Sequence, residues 1–222
     1  MVRRSDRIWG KVMICAGVLT ILISAGLLAY NILSENRAAE STARVTRLLL
    51  EHIEDHKKNH DPGIDPSSYG HADDDLQSEH LQDDNNYDPE NTALFLEPNG
   101  ERYIGLLSIP VLSMELPINY SLDNNKLKDT PCRYAGGIND SLVIAGHNYR
   151  NHFSPLAKLR KGDLVKLTDV AGVEHMYIVE KTETVSATDI SGMLDSSYDL
   201  TMFTCNYSGM ARVAVRCVKH NP

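Results

Sequence analysis

Cys205 closes the run Leu200-Thr201-Met202-Phe203-Thr204 and is followed by a polar turn, Asn206-Tyr207-Ser208-Gly209. Arg212 opens a second run of strand type, Val213-Ala214-Val215-Arg216-Cys217-Val218, and far upstream Leu142-Val143-Ile144-Ala145-Gly146 leads into His147. A thiol, an imidazole and a guanidinium at three strand ends are the components of covalent cysteine catalysis. The thiolate needs a base or ion-pair partner, and a tetrahedral intermediate needs positive charge or hydrogen-bond donors. Free cysteine is also among the most buried residue types, so position alone weighs a core cysteine equally with a nucleophile. The polar turn after Cys205 favours a strand mouth over mid-core.

Two choices must be made within this set. His147 directly follows a buried-type strand, a rigid mount of the kind positioning demands. His152 leads into a short helix, where a histidine is commonly solvated or capping. Of the two arginines, a hairpin across 206–210 would set Arg212 opposite Cys205, where facing Cβ atoms lie about 4.5–5.5 Å apart. Arg216 would then stand opposite Thr201, roughly 13 Å along the strand. Val213, Val215 and Cys217 would take the opposite, inward face by the period-two rule, and a slip of one residue would reverse the faces.

The elements that must hold these groups are short. Apolar or alternating segments at 103–109, 114–120, 142–145, 164–168, 173–185, 200–204 and 212–219 read as strands. A polar helix candidate lies at 122–129, and 153–159 reads as a helix of one to two turns. Seven or eight short strands with little helix suggest a closed barrel, and about 120 residues suffice for one core. Cys132 and Cys217 could pair in an oxidising compartment, although no spacing rule supports a bridge. A bridge that consumed Cys205 would remove the nucleophile.

The string Thr201-Met202-Phe203-Thr204-Cys205, with a histidine after an upstream strand and an arginine on the strand that follows, resembles the sortases. Their signature is TLxTC, and Met202 in place of Leu is a volume-conserving exchange. The resemblance covers about residues 102–219. It implies a mainly β fold, a closed eight-stranded β-barrel with short helices, and a cysteine transpeptidase. Cys205 would then be the nucleophile, His147 the acid and base, and Arg212 the oxyanion or substrate-binding cation. Thr204 would help shape the substrate groove; on its own terms it is simply a β-favouring residue.

By the same resemblance the substrates are secreted proteins bearing a C-terminal LPxTG-like sorting signal. The acceptor is an amine of a cell-wall precursor, or of a pilin in a polymerising enzyme. The segment 186–199 would select the motif, with Ala187, Ile190, Met193 and Leu194 available to line an apolar pocket. Pilin-polymerising members carry an Asp-Pro-aromatic lid, whereas this chain has Asp88-Pro89-Glu90. No cofactor is implied, and calcium dependence is open. A reading from another class is a non-catalytic, membrane-tethered binding module, in which Cys205 would be inert.

The rest of the chain bears on location. From Val12 to Ser34 there are 23 residues without a charge, enough for a helix across a hydrocarbon layer of about 30 Å. Arg3, Arg4, Arg7 and Lys11 precede it, so the positive-inside rule puts residues 1–11 in the cytoplasm and everything beyond the 12–34 anchor outside. A cleaved signal peptide has a shorter apolar region and a small-residue cleavage site. Residues 35–58 read as a juxtamembrane helix, with Val45, Leu48, Leu49, His52 and Ile53 at helical spacing. Residues 59–92 carry few apolar groups and are expected as an acidic, disordered linker to a catalytic domain at 93–222. Their His60, His71 and His80 lack the spacing of a metal site. The formal charge of −8 argues against a nucleic-acid partner.

Overall fold

A computed structural model describes residues 4–59, 95–96, 100–206 and 209–220. The linker expected at 59–92 lies outside the described residues from 60 on, and with it His60, His71, His80 and the Asp88-Pro89-Glu90 tripeptide. One long helix and a β-barrel make up the rest.

Eight strands close the barrel: β2 (Arg102–Ile109), β3 (Met114–Asn119), β4 (Cys132–Gly137), β5 (Asp140–Gly146), β6 (Leu164–Asp169), β7 (Glu174–Ser186), β8 (Leu200–Cys205) and β9 (Ala211–Lys219). A two-residue strand, β1 (Phe95–Leu96), adds to the end of β2. The order is β2-β3-β4-β5-β8-β9-β7-β6, and antiparallel pairing of β6 with β2 closes the circle. That closure demands close backbone approach, because a Cβ on Gly105 would run into the Thr168 carbonyl oxygen. Leu107, Ile118, Leu142, Ile144, Leu167, Val179, Met202 and Val215 share the fully buried interior.

The second core lies outside the barrel. Val143, Ala145, Met193, Phe203 and Ala214 pack together, with Tyr134 and Val185 against them. Along β5 and β8 the residues alternate between the two cores, Leu142 and Ile144 inward against Val143 and Ala145 outward, as strand periodicity requires. Sheet on this side is therefore covered rather than solvated.

The apolar stretch and the juxtamembrane segment form one helix, α1 (Arg4–Asn59). No proline or glycine interrupts 27–59, and nothing else breaks its hydrogen bonding. Its first half is long and apolar enough to cross a membrane, with none of that stretch buried against the chain. Its second half docks on the barrel through Ala38, Thr42, Val45, Leu49 and Ile53, a repeat of four, three, four and four residues that lines one helix face. Leu49 and Ile53 pack with Leu106 and Val170. The helix is thus a structural part of the domain and not a free stalk.

Sequence and structure differ at several places. The 122–129 helix shrinks to α2 (Lys126–Asp129), preceded by a turn in which Asp123 Oδ1 accepts from the Asn125 amide. The helix expected at 153–159 is a 3₁₀ segment, Ser154–Lys158. Cys132 and Cys217 are both free. Two strands, β5 and β8, lie between theirs, and Cys132 stands opposite outward-facing Ala145 while Cys217 is in the barrel interior. Burial pushes both thiols up to about 12, which leaves them unreactive.

His152 is the clearest departure from expectation. It is fully buried rather than solvated. The Thr42 hydroxyl of α1 donates to the Asp129 carbonyl at 2.8 Å, so its oxygen receives the His152 Nε2–H at 3.3 Å. Nδ1 has no partner among the described residues. The ring is therefore neutral, and burial, with the nearby His147 adding to it, lowers its pKa to about 4.

The stability consequence has a definite sign. In the unfolded chain the imidazole titrates near 6.5, so between about pH 6.5 and 4 the unfolded state binds the extra proton. The contribution is fully present above pH 6.5 and is lost as pH falls toward 4, about 3 kcal/mol in all. His152→Gln is expected to flatten this limb. Thermal unfolding of the full chain in detergent micelles at pH 7.5 and 4.5 checks it, and an unchanged acid loss in the variant would contradict the assignment.

Candidate active site

Three neighbouring strands deliver the candidate groups to one edge of the barrel. β5 and β8 run parallel and in register, Val143 beside Thr201, Ala145 beside Phe203 and Gly146 beside Thr204. Continuing one residue sets His147 beside Cys205, on strands about 4.8 Å apart. β8 and β9 are antiparallel, with Cys205 opposite Arg212 and Thr201 opposite Arg216. By period two, His147 follows Val143 and Ala145, Cys205 follows Phe203, and Arg212 precedes Ala214. All three thus belong to the outward face, over the second core.

Each group has its own support. Gly146 must be a glycine because a Cβ there would sit 2.5 Å from the Phe153 ring, which is buried against it. The Phe153 amide donates back to the His147 carbonyl at 3.0 Å, so the loop 147–153 is closed on itself. The His147 ring stacks on Tyr149, with centroids 4.8 Å apart and planes at 25°. Cys205 is half-buried and ends its strand at a turn in which the Asn206 amide donates to the Ala211 carbonyl. Arg212 Nη1 reaches the Gly209 and Ala211 carbonyls, each at 3.3 Å.

Thr204 lies on the other side of β8. It pairs with Val213 and alternates with Leu200 and Met202, whose side chains are in the barrel interior. It is buried, and its Oγ1 has no hydrogen-bond partner among the described residues. Its hydroxyl would have to act from beneath the sheet. Among the described residues there is no cluster of three or more His, Cys, Asp or Glu able to hold a metal ion.

Burial lowers the His147 pKa below the ordinary imidazole value, and the Lys128 charge adds to this. The imidazole is thus mainly neutral at pH 7, ready to accept a proton. Removing the Lys128 charge takes away a cost to the imidazolium, so Lys128→Gln is expected to raise the His147 titration midpoint. NMR titration of the ring proton checks it; a fall would contradict this electrostatic account.

Several participants carried no sequence signal. Tyr149 was visible only as a neighbour of His147, Lys128 lies in α2, and Thr42 is 110 residues from His152.

A family model, the Sortase domain, matches residues 107–220. The chain belongs to the sortase family. The matched region contains His147, Cys205 and Arg212, and it starts within β2 and ends just beyond β9. Sortase A of Listeria monocytogenes serovar 1/2a is 35% identical over 68 residues, 28% of this chain. That match spans only 30% of the relative's length. Among solved structures, a lid mutant of sortase A from Corynebacterium diphtheriae shares the fold, at 24% identity and a TM-score of 0.50, covering 56% of this chain and 75% of that one. Sortase C from Clostridium perfringens SM101 is 25% identical with a TM-score of 0.47, over 54% and 71% of the two chains. The eight-stranded closed barrel with short helices is the sortase fold.

Proposed function

We propose that this sortase is a membrane-anchored cysteine transpeptidase that cleaves an LPxTG-like sorting signal between Thr and Gly and transfers the new carboxyl end to an amine. The observation that carries this reading is the strand register. Cys205 is directly opposite Arg212, and the strand parallel to its own ends at Gly146 beside Thr204, so that the next residue on each strand is His147 and Cys205.

The chemistry follows from that arrangement. The neutral His147 imidazole takes the Cys205 thiol proton, the resulting thiolate attacks the scissile carbonyl carbon, and an electron pair of the C=O bond moves to oxygen. Arg212, across the hairpin, supplies positive charge toward that oxyanion. Collapse re-forms the carbonyl and breaks the C–N bond, while the His147 imidazolium gives its proton to the departing amine. A thioester on Cys205 remains. An incoming amine attacks it, the neutral imidazole takes the amine proton, and the thiolate leaves with an amide formed. Water in place of the amine would give hydrolysis.

The acceptor is an amine of a cell-wall precursor, or of a pilin in a polymerising enzyme. Residues 1–11 would lie in the cytoplasm, 12–34 would cross the membrane, and the barrel would face outward. The basic residues ahead of the span favour that orientation. The test is turnover of LPxTG-type peptides by the full chain in vesicles or micelles, with a panel of amines and mass spectrometry of the products. An amide product and release of the glycine-terminated fragment support the reading. A chain that binds peptide but never cleaves it would favour the binding module instead.

A further inference from the structure

One arginine of β9 is spent on something other than the reaction. Arg216 is only 1% exposed, although it lies on the outward face that holds Cys205 and Arg212. Its guanidinium reaches four partners. Nε donates to Glu183 Oε1 at 2.9 Å, Nη1 to Thr201 Oγ1 at 3.2 Å and to the Met193 carbonyl at 3.4 Å, and Nη2 to the Gly192 carbonyl at 2.5 Å. The last two are carbonyls of α3 (Ile190–Met193), the four-residue helix within the segment joining β7 to β8.

A helix this short cannot stand alone, since nucleation costs more than one turn returns. Asp189 caps it, accepting from the Gly192 amide at 2.8 Å. Its other end needs acceptors satisfied, and Arg216 satisfies them. An ion pair of this kind, buried at the arginine and partly exposed at Glu183, contributes little net stability over a well-packed apolar side chain. What four directed bonds provide is a fixed position for α3.

That position bears on the groove. Met193 is buried against Phe203 and Ala214, the residues two along the strands from Cys205 and Arg212 and on the same face. Ile190 and Leu194 are 55% and 41% exposed on the same short segment. An extended peptide advances about 3.3 Å per residue. A peptide with its scissile carbonyl at Cys205 and running down this face would bring the residue three positions before it roughly 10 Å along, between the levels of Phe203 and Thr201, where Met193 and Arg216 rest.

We propose that Arg216 is a positioning residue that sets selectivity for the first residue of the sorting motif by clamping α3 against β8 and β9. This rests on the sortase reading of the site above. Arg216 does not touch the reacting atoms. It acts through buried Met193, which holds the exposed Ile190 and Leu194 in place as the wall that an apolar first residue meets.

Arg216→Lys and Arg216→Met test the clamp in the full chain, with thermal unfolding reporting the fold. Hydrogen exchange at the Met193 and Leu194 amides is expected to quicken about tenfold or more while barrel amides stay protected. KM for a Leu-first peptide should rise about tenfold with kcat within about twofold, and the preference for Leu over Ala at that position should shrink accordingly. Unchanged exchange would overturn the proposal. So would quickened exchange with unchanged KM and selectivity, or a loss confined to kcat. If both variants fail to fold, Glu183→Gln takes their place: it loosens the guanidinium without emptying its site, and the same shifts in smaller size are required. A wild-type chain that turns over no sorting peptide defeats the parent reading, and hydrogen exchange alone then decides the clamp.

Discussion

Cys205→Ala is expected to abolish peptide cleavage and acyl-enzyme formation while leaving the thermal midpoint nearly unchanged. Cys205 is half-buried at a strand end, and alanine there removes one sulfur atom without opening the barrel interior. The other two thiols of the barrel cannot substitute. Cys132 and Cys217 are fully buried and raised to about 12, so neither offers a thiolate near neutrality. Activity assays with paired unfolding curves measure both halves. Residual turnover above about a thousandth of wild type would place the nucleophile elsewhere, because covalent catalysis has no weaker substitute in this site.

Arg212→Ala is expected to lose on the order of a hundredfold or more in kcat, the usual cost of removing an oxyanion donor. The loss should fall on kcat more than on KM, because the positive charge matters most when the carbonyl oxygen becomes negative. Arg216 variants provide the contrast. Arg216 shares the strand, the face and the charge of Arg212, but it stands opposite Thr201 and spends its donors on Glu183, Thr201, Met193 and Gly192. On folded protein the variants' kcat should stay near wild type. The reverse ranking of the two arginines would sink the assignment of Arg212.

The faces of the hairpin were legible because period two sets Val213, Val215 and Cys217 apart from Arg212 and Arg216; a slip of two residues would keep those faces, so the pairing of Cys205 with Arg212 was an expectation that the structure then shows. The strand leading to His147 was legible for a similar reason, as a continuous buried run. β4, Cys132-Arg133-Tyr134-Ala135-Gly136-Gly137, was not. It has no hydrophobic alternation and two glycines, and it is held by irregular pairing with β5 that shifts register twice. Its structure comes from its partner and not from its own preference.

Long-range contacts account for the other gaps. α3 contains a glycine and has four residues, so no periodicity announces it; Asp189 and Arg216 make it. His152 has the local setting of a solvated residue, and only the docking of α1, 110 residues earlier, buries it and gives it Thr42. The helix itself was visible in two halves, divided at Ser34 by the change from apolar to charged composition. Composition marks where the surroundings change, while the backbone hydrogen bonding runs on without a break.

The central claim is that a peptide acyl group passes through Cys205 on its way to an amine. Mass spectrometry of the full chain, quenched in acid during turnover of an LPxTG-type peptide and mapped by proteolysis, tests it most directly. The expected result is a thioester adduct on the peptide containing Cys205. It should be absent in Cys205→Ala, accumulate when no amine is supplied, and disappear as amide product forms on adding one. An adduct on Cys132 or Cys217, or cleavage without any adduct on Cys205, would contradict the account.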